Sequence, residues 1–159
     1  TTSTTRTTMN TTSFTEPSSS YRVSITPTST SSYILLTYYI MWNPGASWNS
    51  NTIFNFRAFR IIGGSTTYSL TSTSGSSNGS RNIYSGQATR PQGYDYNDPI
   101  PVFFTVIDAP STTSQCTYGF QAKRETGGNG TMYFGYSASD NSDWGWDTNI
   151  NIIAQEIAV

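Results

Sequence analysis

The chain has 159 residues and a mass of 17.5 kDa, the size of one domain, with 35% hydrophobic, 14% aromatic and only 11% charged residues. Ser, Thr, Asn and Gly stand where charge would be, and the Ala, Glu, Lys and Leu of helical bundles are scarce, which excludes a helical architecture; the many Tyr, Phe, Thr and Ile exclude a disordered chain. A net charge of −1 with eight scattered Lys+Arg excludes the basic field of a nucleic-acid binder, and no apolar run approaches the roughly 20 residues of a membrane helix.

In chain order, residues 1–15 form a Thr/Ser tract in which Arg6, Met9 and Phe14 are the only bulky side chains. Low complexity makes it a flexible arm. Threonine is β-branched, however, and the tract makes an edge strand wherever a neighbour offers an open ladder. Residues 16–159 read as one domain. Tyr21, Val23 and Ile25 alternate with polar residues, a half-buried strand stopped by Pro27. Tyr33 to Trp42 is apolar on both faces and requires a cover on the second one. Asn43-Pro44-Gly45 ends it as a turn. Ile53 to Ile62 is a further strand, turned by Gly63-Gly64 toward Thr67 to Leu70. Thr71 to Asp98 reads as surface loops with one short strand near Asn82 to Tyr84. Strands resume at Pro101 to Asp108, Gln115 to Arg124, Thr131 to Ala138 and Asn149 to Ile157. About eight short strands separated by turns point to an all-β fold, an antiparallel β-sandwich of jelly-roll type.

The absence of histidine excludes Ser-His-Asp and Cys-His catalysis and His-ligated zinc together. The single cysteine, Cys116, forms no internal disulfide. It shares a strand face with Tyr118, Phe120 and Ala122, which makes it a buried core thiol. A glycan hydrolase would need two carboxylates facing each other across a cleft. Asp95 and Asp98 are the only close acidic pair in an aromatic loop, and no enzyme is expected.

Several stretches occur in a telling order. Tyr21-Arg-Val-Ser-Ile-Thr-Pro-Thr-Ser-Thr-Ser-Ser-Tyr-Ile-Leu-Leu precedes Phe54-Asn-Phe-Arg-Ala-Phe-Arg. Phe104-Thr-Val-Ile-Asp-Ala-Pro-Ser-Thr-Thr-Ser, Thr117-Tyr-Gly-Phe-Gln-Ala-Lys and Ile152-Ile-Ala-Gln-Glu-Ile follow. From about Ser13 to Ile157 this order resembles β-sandwich domains of virion-surface proteins of phages and aquatic viruses, as in fibre tips and capsid decoration proteins. The resemblance implies a non-enzymatic structural protein on the virion surface, commonly a trimer, whose job is capsid decoration or host attachment. A chain beginning at Thr1 and filled by one domain favours a stand-alone decoration protein over the tip of a long fibre. The implied partners are further copies of the chain and other virion proteins, such as the capsid or a fibre shaft. No nucleic acid, membrane insertion or cofactor is expected.

Two segments depart from that pattern, Trp42 to Asn51 and Asp140 to Asp147, which between them are rich in Trp, Asn and Asp. Asp140, Asn141, Asp143 and Asp147 offer oxygen ligands of the kind calcium takes, but without the order and closing Glu of an EF-hand. The plainer reading is a turn whose side chains bond their own backbone. Trp144 and Trp146 flank Gly145, and Trp48, Tyr94 and Tyr96 lie in similar company. Aromatics beside Asp and Asn hold sugar rings, and equally anchor protein partners or pack a core. Trp48, Tyr94, Tyr96, Asp143, Trp144, Trp146 and Asp147 are therefore the candidate ligand or partner contacts. The alternative function they support is a carbohydrate-binding, lectin-like adhesin contacting a host-surface glycan. The doubly apolar strands Tyr33 to Trp42 and Val102 to Ile107 call for a homo-oligomer; the number three comes from the resemblance.

Overall fold

A computed structural model describes residues 1–45, 53–70, 86–89, 98–125, 130–137 and 147–159. Among them are eleven strands: β1 (Thr2–Ser3), β2 (Thr7–Met9), β3 (Val23–Ile25), β4 (Tyr33–Asn43), β5 (Ile53–Ile62), β6 (Ser65–Leu70), β7 (Gly86–Thr89), β8 (Ile100–Asp108), β9 (Cys116–Arg124), β10 (Met132–Phe134) and β11 (Ile150–Ile157). They form two antiparallel sheets packed face to face, an all-β sandwich. In the first sheet β4 is central, with β8 on one edge and β11 and β10 end to end on the other. β1 extends β11 and β2 extends β10. In the second, β5 lies between β9 and the collinear pair β6 and β7, and β3 adds to β9.

Merging the collinear pieces leaves eight ribbons in the orders 1-8-3-6 and 2-7-4-5, the order of a jelly roll. The number matches the eight expected strands, but the assignment differs: the strands expected at Thr131 to Ala138 and Asn149 to Ile157 form one ribbon, and the N-terminal tract supplies another.

The alternation visible in the sequence is the alternation of burial. Ile34, Leu36, Tyr38, Ile40 and Trp42 of β4 face Phe54, Phe56 and Ala58 of β5 and Tyr118, Phe120 and Ala122 of β9, all buried. Aromatic rings fill the layer between the sheets. Tyr38 stacks on Phe104 at 4.5 Å, Trp42 tilts against Phe54 at 4.8 Å, and Phe120 meets Phe134 at 5.9 Å. Cys116 is a buried free thiol on this inner face, as its neighbours imply.

Local chemistry adjusts several expected boundaries. Tyr21 closes a single 3-10 turn, Ser19–Tyr21, instead of opening a strand, because the Ser18 hydroxyl caps it by accepting from the Ser20 amide at 3.1 Å. β4 ends at Asn43, whose side-chain oxygen accepts from the Gly45 amide at 2.9 Å. β10 is shorter than the expected Thr131 to Ala138. Gly135, at φ 81°, ends it, and the Thr5 carbonyl oxygen lies 2.6 Å from where a Cβ would stand. The strand expected near Asn82 to Tyr84 lies outside the described residues.

The Thr-rich tract is built into the sandwich edge. Its β2 pairs with β10, and Met9 joins the core. The terminal amine donates to the Ile152 carbonyl at 2.7 Å, and the Tyr21 hydroxyl donates to the Thr5 carbonyl. Thr11 to Thr15 then run beside β9: the Arg124 amide donates to the Thr11 carbonyl at 2.9 Å, and Thr15 exchanges bonds with Ala122. A tract too polar to order itself thus borrows the ladders of its neighbours. Removal of residues 1–9 is expected to lower unfolding stability by about 3 kcal/mol or more, from Met9 burial and lost ladder bonds. Gly135→Ala is expected to lower it by roughly 2 kcal/mol, through its left-handed backbone and the clash with Thr5. Denaturant melts of both variants measure this; unchanged midpoints would show the tract to be an appendage.

Candidate functional site

Among the described residues, three places hold chemistry beyond the apolar core. The first is a polar knot at one end of the sandwich. β8 ends with Asp108 on the inner face, 8% exposed, where Arg60 of β5 pairs with it at 2.7 Å. The same Arg60 nitrogen, Nη1, reaches both carboxylate oxygens, and the Tyr118 hydroxyl donates to Oδ2 at 2.8 Å. Burial pushes the Tyr118 phenol well above its ordinary 10.0, and the Asp108 bond adds to the shift. Tyr38, which donates to the Gly119 carbonyl at 3.2 Å, is raised by burial and then by the Asp108 charge. Burial also raises the Cys116 thiol above 9.0. Each of these groups is held in its protonated form, so neither a phenolate nor a thiolate is presented as a nucleophile. The knot holds two sheets together. Sequence reading missed it; the signal was an Asp on the apolar face of one strand and an Arg on the apolar face of another.

The second place is the corner where Asp147 bridges Tyr136. Arg6 grips Asp147 with two bonds, Nε to Oδ1 at 2.9 Å and Nη2 to Oδ2 at 2.7 Å. The guanidinium also lies 5.4 Å from the Tyr136 ring centre, and the Tyr136 hydroxyl pairs with Thr8 Oγ1 at 2.6 Å. Of the seven residues singled out by sequence, Asp147 is the one the structure describes, and both its oxygens serve the N-terminal tract. Trp48, Tyr94, Tyr96, Asp143, Trp144 and Trp146 lie outside the described residues, as do Asp140, Asn141 and Asp95. Asp98 is described, and its backbone carbonyl accepts from the Asn43 amide side chain at 3.1 Å.

The third place is the outer face of the first sheet. Residues directly opposite in an antiparallel pair share a face. Leu35 stands beside Ile107, Tyr39 beside Phe103, Thr37 beside Thr105 and Met41 beside Pro101. Ile153 flanks Thr37, Gln155 flanks Leu35 and Ile157 flanks Tyr33. Asn151 flanks Tyr39, with Thr2 beyond it. None of these residues is charged. Phe103 is 64% exposed and Ile153 50%, and Tyr33, Tyr39, Ile107 and Ile157 are also exposed.

The outer face of the second sheet is built differently. Arg57 donates to Gln121 at 2.7 Å, and its guanidinium lies 4.2 Å from the Phe14 ring. Lys123 reaches the same ring at 5.2 Å and pairs with Glu125 at 3.4 Å. Arg22 pairs with Glu16 and lies 5.8 Å from the Phe59 ring. That face carries charge and is covered in part by the chain's own N-terminal segment. Among the described residues, the first sheet's face has neither.

No protein-family model matches the chain, and no curated protein matches it in sequence.

Two outcomes follow for the polar knot. Asp108→Ala strands Arg60 in a buried position and is expected to cost about 3–5 kcal/mol of stability, measured by denaturant melts. The raised thiol and phenols favour the folded state only while they are protonated. Below their ordinary values both states hold these protons; above them the unfolded chain releases protons that the folded chain retains. The melting temperature should therefore fall as pH rises past about 9 to 10, and Tyr118→Phe should make the fall shallower.

Proposed function

We propose that this chain is a non-enzymatic structural protein of a virion surface, a capsid decoration or head/tail-fibre domain that works as an assembly of several copies. The observation that carries this reading is the uncharged, exposed apolar face formed by β8, β4 and β11. A sheet face of that kind is unstable in water unless something covers it, and monomers rarely retain one. The jelly-roll strand order agrees with the fold that the sequence resemblance implies. A fold by itself hosts many functions, so the weight rests on the face and not on the topology. The resemblance suggests three copies, a number the face itself does not support; contacts to capsid or fibre shaft belong to this same proposal.

Mass spectrometry of purified viral particles is expected to find the chain in stoichiometric amount, and purified protein is expected to rebind particles lacking it. Consistent absence from particles, together with binding to a glycan array, would favour the adhesin reading instead. In that case Trp144→Ala with Trp146→Ala should abolish glycan binding while leaving the melting temperature unchanged. A double variant that binds normally but melts early would make those tryptophans packing residues.

A further inference from the structure

We infer that the occupant of the exposed face of the first sheet is the same face of a second copy, related by a two-fold axis. Among the described residues, every exposed large hydrophobic side chain except Val159 lies on this one patch. That distribution decides between symmetries. A rotationally closed ring of three joins two different surfaces of each copy, whereas a two-fold joins one surface to itself. One broad patch on a sheet face suits the second arrangement, since a single counterpart covers all of it. Around a three-fold axis the same face would have to divide into two angled halves.

Charge points the same way. A face meets its own copy without penalty only if it brings no like charges together. The strands β8, β4 and β11 present no Asp, Glu, Lys or Arg outward, and the polar members of the face, Thr37, Thr105, Asn151 and Gln155, are neutral. A partner of opposite charge has nothing here to recognise.

Size agrees. The strands are nine, eleven and eight residues long, so the patch measures about 15 by 30 Å from ordinary strand spacing and rise. With side chains standing on it, the accessible area is on the order of 600 Å², most of the ~800 Å² that each partner of a standard interface buries. Phe103, the most exposed ring of the patch, next to Tyr39, is the expected anchor. The dimer rests on the reading of this face as an assembly surface and holds whether or not the assembly belongs to a virion.

Sedimentation of the full chain across a concentration series tests it. The wild-type protein is expected to be a dimer at ~10 µM. Phe103→Glu and Ile153→Glu, both at exposed positions, are each expected to raise the dimer dissociation constant at least about 100-fold, with an unchanged circular dichroism spectrum. Should one variant misfold, the other still gives the answer. Thr66→Glu, on the second sheet, is expected to leave the dimer intact. A wild-type monomer at ~100 µM, a trimer, or a dimer insensitive to both face variants would overturn the inference. Its failure is separable from that of the virion reading. A trimer found in particles sinks the dimer alone, and a dimer absent from particles sinks the virion role alone.

Discussion

A strand has two faces, and a two-layer sandwich has one interior. β4 is apolar on both faces, so folding can bury Ile34, Leu36, Tyr38, Ile40 and Trp42 but must leave Tyr33, Leu35, Tyr39 and Met41 on the other side. Its partners repeat the conflict, with Phe103 and Ile107 on β8 and Ile153 and Ile157 on β11. The consequences spread through the molecule. The face that the core cannot absorb is the surface on which the proposed assembly rests, and charged side chains lie on the opposite sheet.

That opposite sheet shows how the same chain covers a face when it is meant to be closed. Phe14 lies under Arg57 and Lys123, and Phe59 packs over Gly119, where a Cβ would come within 2.6 Å of the ring. Among the described residues, nothing comparable lies over Phe103, which is 64% exposed. The N-terminal tract serves edges, pairing β1 with β11 and β2 with β10, and Arg6 ties it to Asp147. Asp147 thereby reads as a residue that fixes the tract. The knot of Arg60, Asp108 and Tyr118 likewise spends its charge inside the protein.

The two-residue period made most of the fold legible from sequence. It located β4, β5, β8, β9 and β11 within a residue or two, and it placed Cys116 in the core. The departures come from events that period cannot report. The Ser18 cap converts the stretch before Val23 into a turn, and the Thr5 carbonyl at Gly135 cuts β10 short. Whether a threonine tract is arm or strand depends on an open ladder elsewhere, here that of β10 and β11. The site was legible in one respect: the doubly apolar strands announced an uncovered face. The Arg60–Asp108 pair was not, because its members are 48 residues apart and meet only through the pairing of two sheets. The tryptophan-rich loops lie outside the described residues and leave the adhesin reading where sequence put it.

The central claim is that the outer face of β8, β4 and β11 is covered in solution. Backbone exchange is a poor witness, since these strands are already paired within their sheet. Hydroxyl-radical footprinting reads the side chains directly. Labelling of Phe103, Tyr39 and Tyr33 should fall severalfold as the protein is concentrated from nanomolar to tens of micromolar, while residues on the second sheet label at a constant rate. Equal labelling of Phe103 at every concentration would contradict the account.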